Sequence, residues 1–178
     1  MQYNADYYYN LLKIQTPFGE DIARRRWNFI LNNTITDSVH TVLDYGSGVG
    51  FFKAFSPPGI QVDTYDIGPI VQTGVRRSKY DVLAMWDVLE HIPDFSVLDF
   101  YLENCRYVTL TVPMLPNGQE LKTWKHYKPG EHLHYFDHVQ LDNLFRMHGF
   151  KRIHSDSKEC PPRVDVQSVL YMKESYGL

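Results

Sequence analysis

The chain has 178 residues, 43% of them hydrophobic, which suits one domain with one core and excludes disorder as the default. A formal net charge of −3 excludes a general electrostatic grip on nucleic acid, though it is compatible with a local basic patch. Two cysteines, no apolar run long enough for a membrane span and no signal-peptide core in MQYNADYYYN predict a soluble protein of a reducing, cytoplasmic setting.

The opening stretch carries Tyr3, Tyr7, Tyr8 and Tyr9 and is expected to pack on the domain surface. Thr16-Pro17 reads as a capping hydroxyl followed by proline at the first helical position. The helix it starts runs to about Leu31, with Ile22, Phe29 and Ile30 on one face and Asn32-Asn33 at its end. Arg24, Arg25 and Arg26 fall within it. Three consecutive residues span most of a turn and cannot all reach one ligand, so a solvated face is expected, with a phosphate or substrate contact by one of them as the alternative.

Thr41 to Tyr45 is a short apolar run of the kind that forms a buried parallel strand. It leads into glycines at alternate positions, Gly46, Gly48 and Gly50. A strand running into such glycines predicts a strand-to-helix turn whose backbone a ligand approaches closely. The dinucleotide fingerprint G-x-G-x-x-G would need glycine where Phe51 stands, which disfavours a nicotinamide oxidoreductase. A Walker A pattern is likewise missing, since no Lys-Ser/Thr closes it.

Phe51 to Phe55 begins a short helix, stopped by Pro57-Pro58-Gly59. Ile60 to Tyr65 alternates as a second strand and ends at Asp66, about 22 residues after Asp44. An acidic residue there accepts hydrogen bonds from ribose hydroxyls in nucleoside-binding α/β folds. Asp63 competes for that role from within the strand. The interval from Gly68 to Lys79 is too short for a full helix and strand, so the next strand of the sheet is expected to be reduced or absent.

Val82 to Met85 reads as a buried strand, with Trp86-Asp87-Val88-Leu89-Glu90-His91-Ile92-Pro93-Asp94 leaving its carboxyl end. Phe95 to Asn104 is a helix, and Arg106 to Val112 a strand closed by Pro113. Trp124 to Phe136 packs His126, His132, His134 and four aromatic residues into thirteen positions without helical or strand period. A loop of that kind is usually functional, and its aromatics argue against disorder. Asp137 and Gln140 form a capping pair for a helix with Leu141, Leu144 and Phe145 on one face and Gly149 at its end. Phe150 to Ile153 and Val164 to Met172 predict a closing antiparallel hairpin, with Pro161-Pro162 between its strands.

D-x-G-x-G-x-G at Asp44 to Gly50, the acid at Asp66 and Asp-Val-Leu-Glu-His-Ile-Pro-Asp at 87–94 resemble the class I S-adenosylmethionine (SAM)-dependent methyltransferases. The resemblance covers about Val42 to Met172. It implies a single Rossmann-like α/β domain over 1–178, mostly parallel, ending in an antiparallel hairpin. It further implies a cofactor site made by Asp44, Tyr45, Gly46, Ser47 and Gly48, by Asp66 and Ile67, and by Trp86, Asp87 and Val88. Asp44 would face the amino end of the methionine moiety. Residues 1–15 would supply a flap over the cofactor, as N-terminal segments often do in this family. The family commonly holds the adenine amino group with an acid in the Gly68–Lys79 interval, where this chain has none.

The W-x-H…P-x-E-H-L-x-Y-F run resembles the group whose members methylate sugars, lipid precursors and quinones. A small-molecule acceptor, methylated at oxygen, is therefore expected. A histidine or carboxylate that removes the acceptor's proton could contribute roughly 10²- to 10⁴-fold, and His91, His126, Glu131 and His132 are the candidates. Asp87, Glu90 and His91, at i, i+3 and i+4, also form a ligand set for a divalent cation, completed by a later histidine. That set resembles the E-x-x-E-H site of ubiquinone-pathway and small-RNA 2′-O-methyltransferases, with Asp87 as a departure. A catalytically degenerate binding protein of this fold and a nucleic-acid methyltransferase are the alternatives. The intact glycines and the histidine-rich loop disfavour the first, and the charge disfavours the second.

Overall fold

The structure is a computed structural model that describes residues 4–68, 77–159, 163 and 165–176. Its centre is a six-stranded sheet of β1 (Thr41–Tyr45), β2 (Gln61–Tyr65), β3 (Tyr80–Trp86), β4 (Cys105–Pro113), β5 (Phe150–Asp156) and β6 (Val166–Lys173). The order across it is β2-β1-β3-β4-β6-β5. β2, β1, β3 and β4 run parallel, and β6 enters antiparallel between β4 and β5. This is the Rossmann-like sheet with a C-terminal antiparallel hairpin that the motifs imply. Residues 69–76, on which the expectation of a reduced strand falls, lie outside the described residues; among those described, β2 pairs only with β1.

The central strands are apolar on both faces because both are covered. Val82 and Ala84 of β3 pack with Val42, Tyr107, Trp27 and Ile30 on one side. Leu83 and Met85 pack with Val108, Leu110, Leu102 and Phe145 on the other. The first layer is closed by α2 (Gly19–Asn33), whose Trp27 stacks on Phe52 of α3 (Phe51–Ala54) at 4.2 Å and donates its Nε1–H to the Phe52 carbonyl at 3.0 Å. The second is closed by α4 (Asp99–Glu103) and α5 (His138–Arg146). α5 starts with the expected capping box, in which Asp137 and Gln140 satisfy each other's backbone N–H groups.

Two local expectations are corrected. Thr16 does not start a helix. It closes α1 (Ala5–Gln15), its hydroxyl donating to the Leu12 carbonyl at 2.7 Å, and α2 begins only at Gly19. The tyrosine-rich opening therefore forms a helix of its own. The stretch from Phe95 to Asn104 is a 3-10 turn at Phe95–Leu98 running into α4, because the Asp94 carboxylate caps the Ser96 N–H and tightens the first turn.

Chain direction positions the site. From β1 the chain passes to β2 on one side, then returns to β3 on the other, so the carboxyl ends of β1 and β3 diverge into a crevice at the switch point.

Candidate active site

A cavity of about 640 Å³ opens at that switch point. One wall is the turn after β1. Gly46 has φ +77°, and a Cβ there would collide with Val88, so only glycine lets this turn lie against the segment leaving β3. Asp44, at the end of β1, is 1% exposed, and neither carboxylate oxygen has a hydrogen-bond partner among the described residues. Burial pushes its pKa up to about 7, with Asp66 adding to the rise and Arg26 and Lys53 opposing it. A buried carboxylate on a cavity wall with no donor of its own suits a cationic ligand group.

Asp66 ends β2 on the same wall. Its Oδ2 accepts from the Gly48 N–H at 2.8 Å, and its Oδ1 accepts from the Gly68 N–H at 2.8 Å and from the Tyr8 hydroxyl. Asp63, the competitor, points elsewhere: its carboxylate takes the Tyr80 hydroxyl at 2.8 Å and lies 3.3 Å from Arg77 Nε. Tyr45, Ser47, Ile67, Trp86, Asp87 and Val88 all line the cavity, as do Tyr7, Tyr8 and Leu11 of α1.

The opposite wall is chemically different. Asp87 sits at φ +57°, its N–H bonded to Thr111. Its carboxylate receives the Arg163 guanidinium in a fork, at 3.0 and 2.6 Å, which holds its pKa low against the opposing effect of burial. The 3-10 turn Leu89–His91 follows. Glu90 is 2% exposed; burial, then the nearby Asp87 charge, raises its pKa to about 8, so this carboxyl is largely protonated at neutral pH.

The 124–136 loop is anchored onto this turn. The Leu133 and His134 N–H groups donate to the Glu90 carbonyl at 2.8 and 3.2 Å. His134 Nε2 lies 2.9 Å from the Ile92 carbonyl, and His91 Nδ1 lies 2.8 Å from the Glu131 carbonyl. A carbonyl can only accept, so both ring nitrogens donate. His91 Nε2, 4.0 Å from a Glu90 carboxyl oxygen, is therefore the acceptor nitrogen when the ring is neutral. The His91 and His132 rings meet edge-on at 4.9 Å. Burial, then the charges of His91 and Lys128, lowers the His132 pKa, and burial and Lys125 lower that of His126.

The structure thus brings His91, His126, Glu131 and His132 to one wall and the ten expected cofactor residues to the crevice and its rim. The cation set is rearranged. Asp87 is taken by Arg163, whereas Glu90, His91 and His132 each bring a ligand-type atom to within 4.8 Å of the others. Among the lining residues not assigned from sequence are Arg26, Tyr8 and Arg163. Arg26 turns inward from its exposed neighbours, over the Trp86 ring at 4.7 Å and onto Glu159 at 2.7 Å, while Arg24 and Arg25 form the expected solvated pairs with Glu20 and Asp21. Tyr8 lies in the flagged tyrosine cluster. Arg163 carries no local signal at all.

Residues 17–155 match a protein-family profile described as a methyltransferase domain. No curated protein matches the chain significantly. Among solved structures, the N-terminal domain of EvdMO1, crystallised in the presence of SAH and D-fucose, aligns with TM-score 0.56 at 12% identity over 86% of this chain and 82% of that one. Magnesium protoporphyrin IX methyltransferase (ChlM) from Synechocystis PCC 6803, with bound SAH, aligns with TM-score 0.60 at 16% identity over 87% and 83%. Burkholderia thailandensis 1,6-didemethyltoxoflavin-N1-methyltransferase aligns with TM-score 0.62 at 16% identity over 94% and 84%. The chain spans 61% of another match, TnmH. The profile covers most of the chain, and the sheet, glycine turn and cavity agree with it. The chain belongs to the methyltransferase-domain family, as a SAM-dependent methyltransferase of class I.

Proposed function

We propose that the protein transfers the methyl group of SAM to a hydroxyl of a small-molecule acceptor. The observation that carries this reading is the division of one cavity into two walls. One offers Asp44, the glycine turn and Asp66; the other offers a buried carboxyl and three histidines.

On the first wall Asp44 takes the ammonium of the methionine moiety, Gly46 to Gly48 pass beneath it, and Asp66 takes the ribose. Tyr45, Ser47, Ile67, Trp86, Asp87 and Val88 complete the enclosure. The cofactor supplies a methyl group already activated on a sulfonium. The protein's work is to hold the acceptor in line, which can remove roughly 7–11 kcal/mol of barrier. His91, fixed through Nδ1, accepts the acceptor's proton at Nε2. His132, His126 and Glu131 frame the acceptor, and protonated Glu90 donates to one of its oxygens. A small acceptor is also what the matched structures suggest, since their names include a porphyrin and a toxoflavin methyltransferase. The matched structures also include the mitomycin 7-O-methyltransferase MmcR beside the toxoflavin N1-methyltransferase, so oxygen rests on the His91 geometry.

The test is transfer of labelled methyl from SAM to paired acceptors that differ only in carrying a hydroxyl or an amine, with and without EDTA. Transfer to the hydroxyl series, reduced at least about tenfold in His91→Gln, is expected. Transfer confined to amines would overturn the oxygen assignment. Loss of activity in EDTA, restored by Mg²⁺ or Mn²⁺, would make Glu90, His91 and His132 a cation site instead.

A further inference from the structure

The carboxylate assigned to the ribose is not idle. An ionised carboxylate offers about four lone-pair sites. Three donors already address Asp66: the Gly48 N–H, the Gly68 N–H and the Tyr8 hydroxyl. A ribose diol brings two more, which makes five donors for about four sites. One must leave for both ribose hydroxyls to bond.

Two of the three residents are backbone groups of the turns that build the site, and they cannot leave without dismantling it. The third is on α1. Tyr8 is the only buried side chain of that helix, while Tyr9, Leu12 and Ile14 are exposed. α1 nonetheless covers the cofactor wall closely. The Tyr8 ring lies so tightly on Gly68 that a Cβ there would run into it, and a Cβ on Gly48 would meet the Leu11 side chain at 3.5 Å. The element nearest the ribose position is therefore held by a single buried side chain.

We propose that Tyr8 is a latch on the ribose position, its hydroxyl holding Asp66 until the cofactor diol displaces it and loosens α1. The inference rests on the assignment of Asp66 to the ribose. A latch of this kind lowers the apparent affinity by the fraction of molecules in which it is closed, and removing it restores that fraction.

The experiment is calorimetric titration of SAH into the wild type and Tyr8→Phe, with hydrogen exchange across residues 5–15 of the wild type, with and without SAH. Tyr8→Phe keeps the ring and deletes the hydroxyl that addresses Asp66. It is expected to bind SAH roughly threefold to tenfold more tightly, and the wild-type α1 amides are expected to exchange faster once SAH is bound. Equal or weaker binding by Tyr8→Phe, or slower exchange in α1 with SAH, would overturn the latch and make Tyr8 a fixed part of the wall. Should Tyr8→Phe fail to fold, the wild-type exchange measurement decides alone. SAH binding to neither protein would overturn the cofactor assignment, and the latch with it; failure of the latch alone leaves wild-type binding intact.

Discussion

Asp44 and Asp66 are both carboxylates on one wall, but burial gives them different physics. Asp44 has no donor among the described residues, and its pKa of about 7 makes its charge depend on pH in the working range. Its folded pKa lies above the ordinary 3.8, so its contribution to stability is present below about pH 4 and lost as pH rises through 7. With Asp44 proposed to take the cofactor's ammonium, cofactor binding should have the opposite dependence, because that pairing requires the ionised form. From pH 8 down to pH 6, with Arg26, Lys53 and Asp66 also facing the group, SAH affinity should fall by about tenfold. Asp44→Asn should bind weakly and show no such slope in calorimetry; an unchanged slope would place the titrating group elsewhere. Asp66 already has donors, and hydrogen bonds to a charged group contribute about 1.5–3 kcal/mol each. Asp66→Ala should weaken SAH binding at least about tenfold. Asp63→Ala should keep its affinity but lose thermal stability, since it removes the carboxylate that accepts the Tyr80 hydroxyl and lies 3.3 Å from Arg77 Nε. The reverse pattern would put the ribose at Asp63. This pair was separable in the sequence by position alone: one acid ends the strand and the other lies within it.

At the scale of elements, the 124–136 loop and the Leu89–His91 turn form one unit. The loop has no regular structure to satisfy its backbone, so it borrows the Glu90 and Ile92 carbonyls and His91. This explains how an irregular segment holds His132 at 7% exposure. The unit carries the histidines proposed to frame the acceptor, so His132→Ala should lower turnover at least about tenfold and leave SAH affinity within about twofold. Equal losses of turnover and affinity would show that the loop serves the cofactor. The loop's order was legible in its aromatic composition. Its docking partner was not, because backbone-to-carbonyl bonds across about forty residues leave no trace in residue type. α1 was obscured for a related reason: Thr16-Pro17 carries a start signal, but a threonine hydroxyl can equally bond back to the carbonyl four residues earlier, as it does here.

For the whole molecule, the nucleoside assignment is tested without knowing the acceptor. A ligand at about 100 times its dissociation constant adds about 2.7 kcal/mol to stability, which in a domain of this size raises Tm by roughly 5–10 °C. SAM and SAH should each do so and NAD should not; a shift with NAD alone would return the glycine turn to a nicotinamide cofactor. No helix among the described residues is long and apolar enough to cross a membrane. The sequence by itself determined the sheet and its switch point, because buried parallel strands, turn glycines and a strand-end acid are local patterns with few structural solutions. It therefore located Asp44, the Gly46–Gly48 turn and Asp66. Tertiary structure alone decided which charges meet. Arg163 reaches Asp87 across 76 residues, which takes Asp87 away from the cation set and leaves His132 beside Glu90 and His91. Arg26 turns inward while its two neighbours face solvent, and Tyr8 folds onto Asp66. Such pairings depend on side-chain directions and distances fixed only when helices and loops pack on the sheet, and residue spacing along the chain carries none of that information.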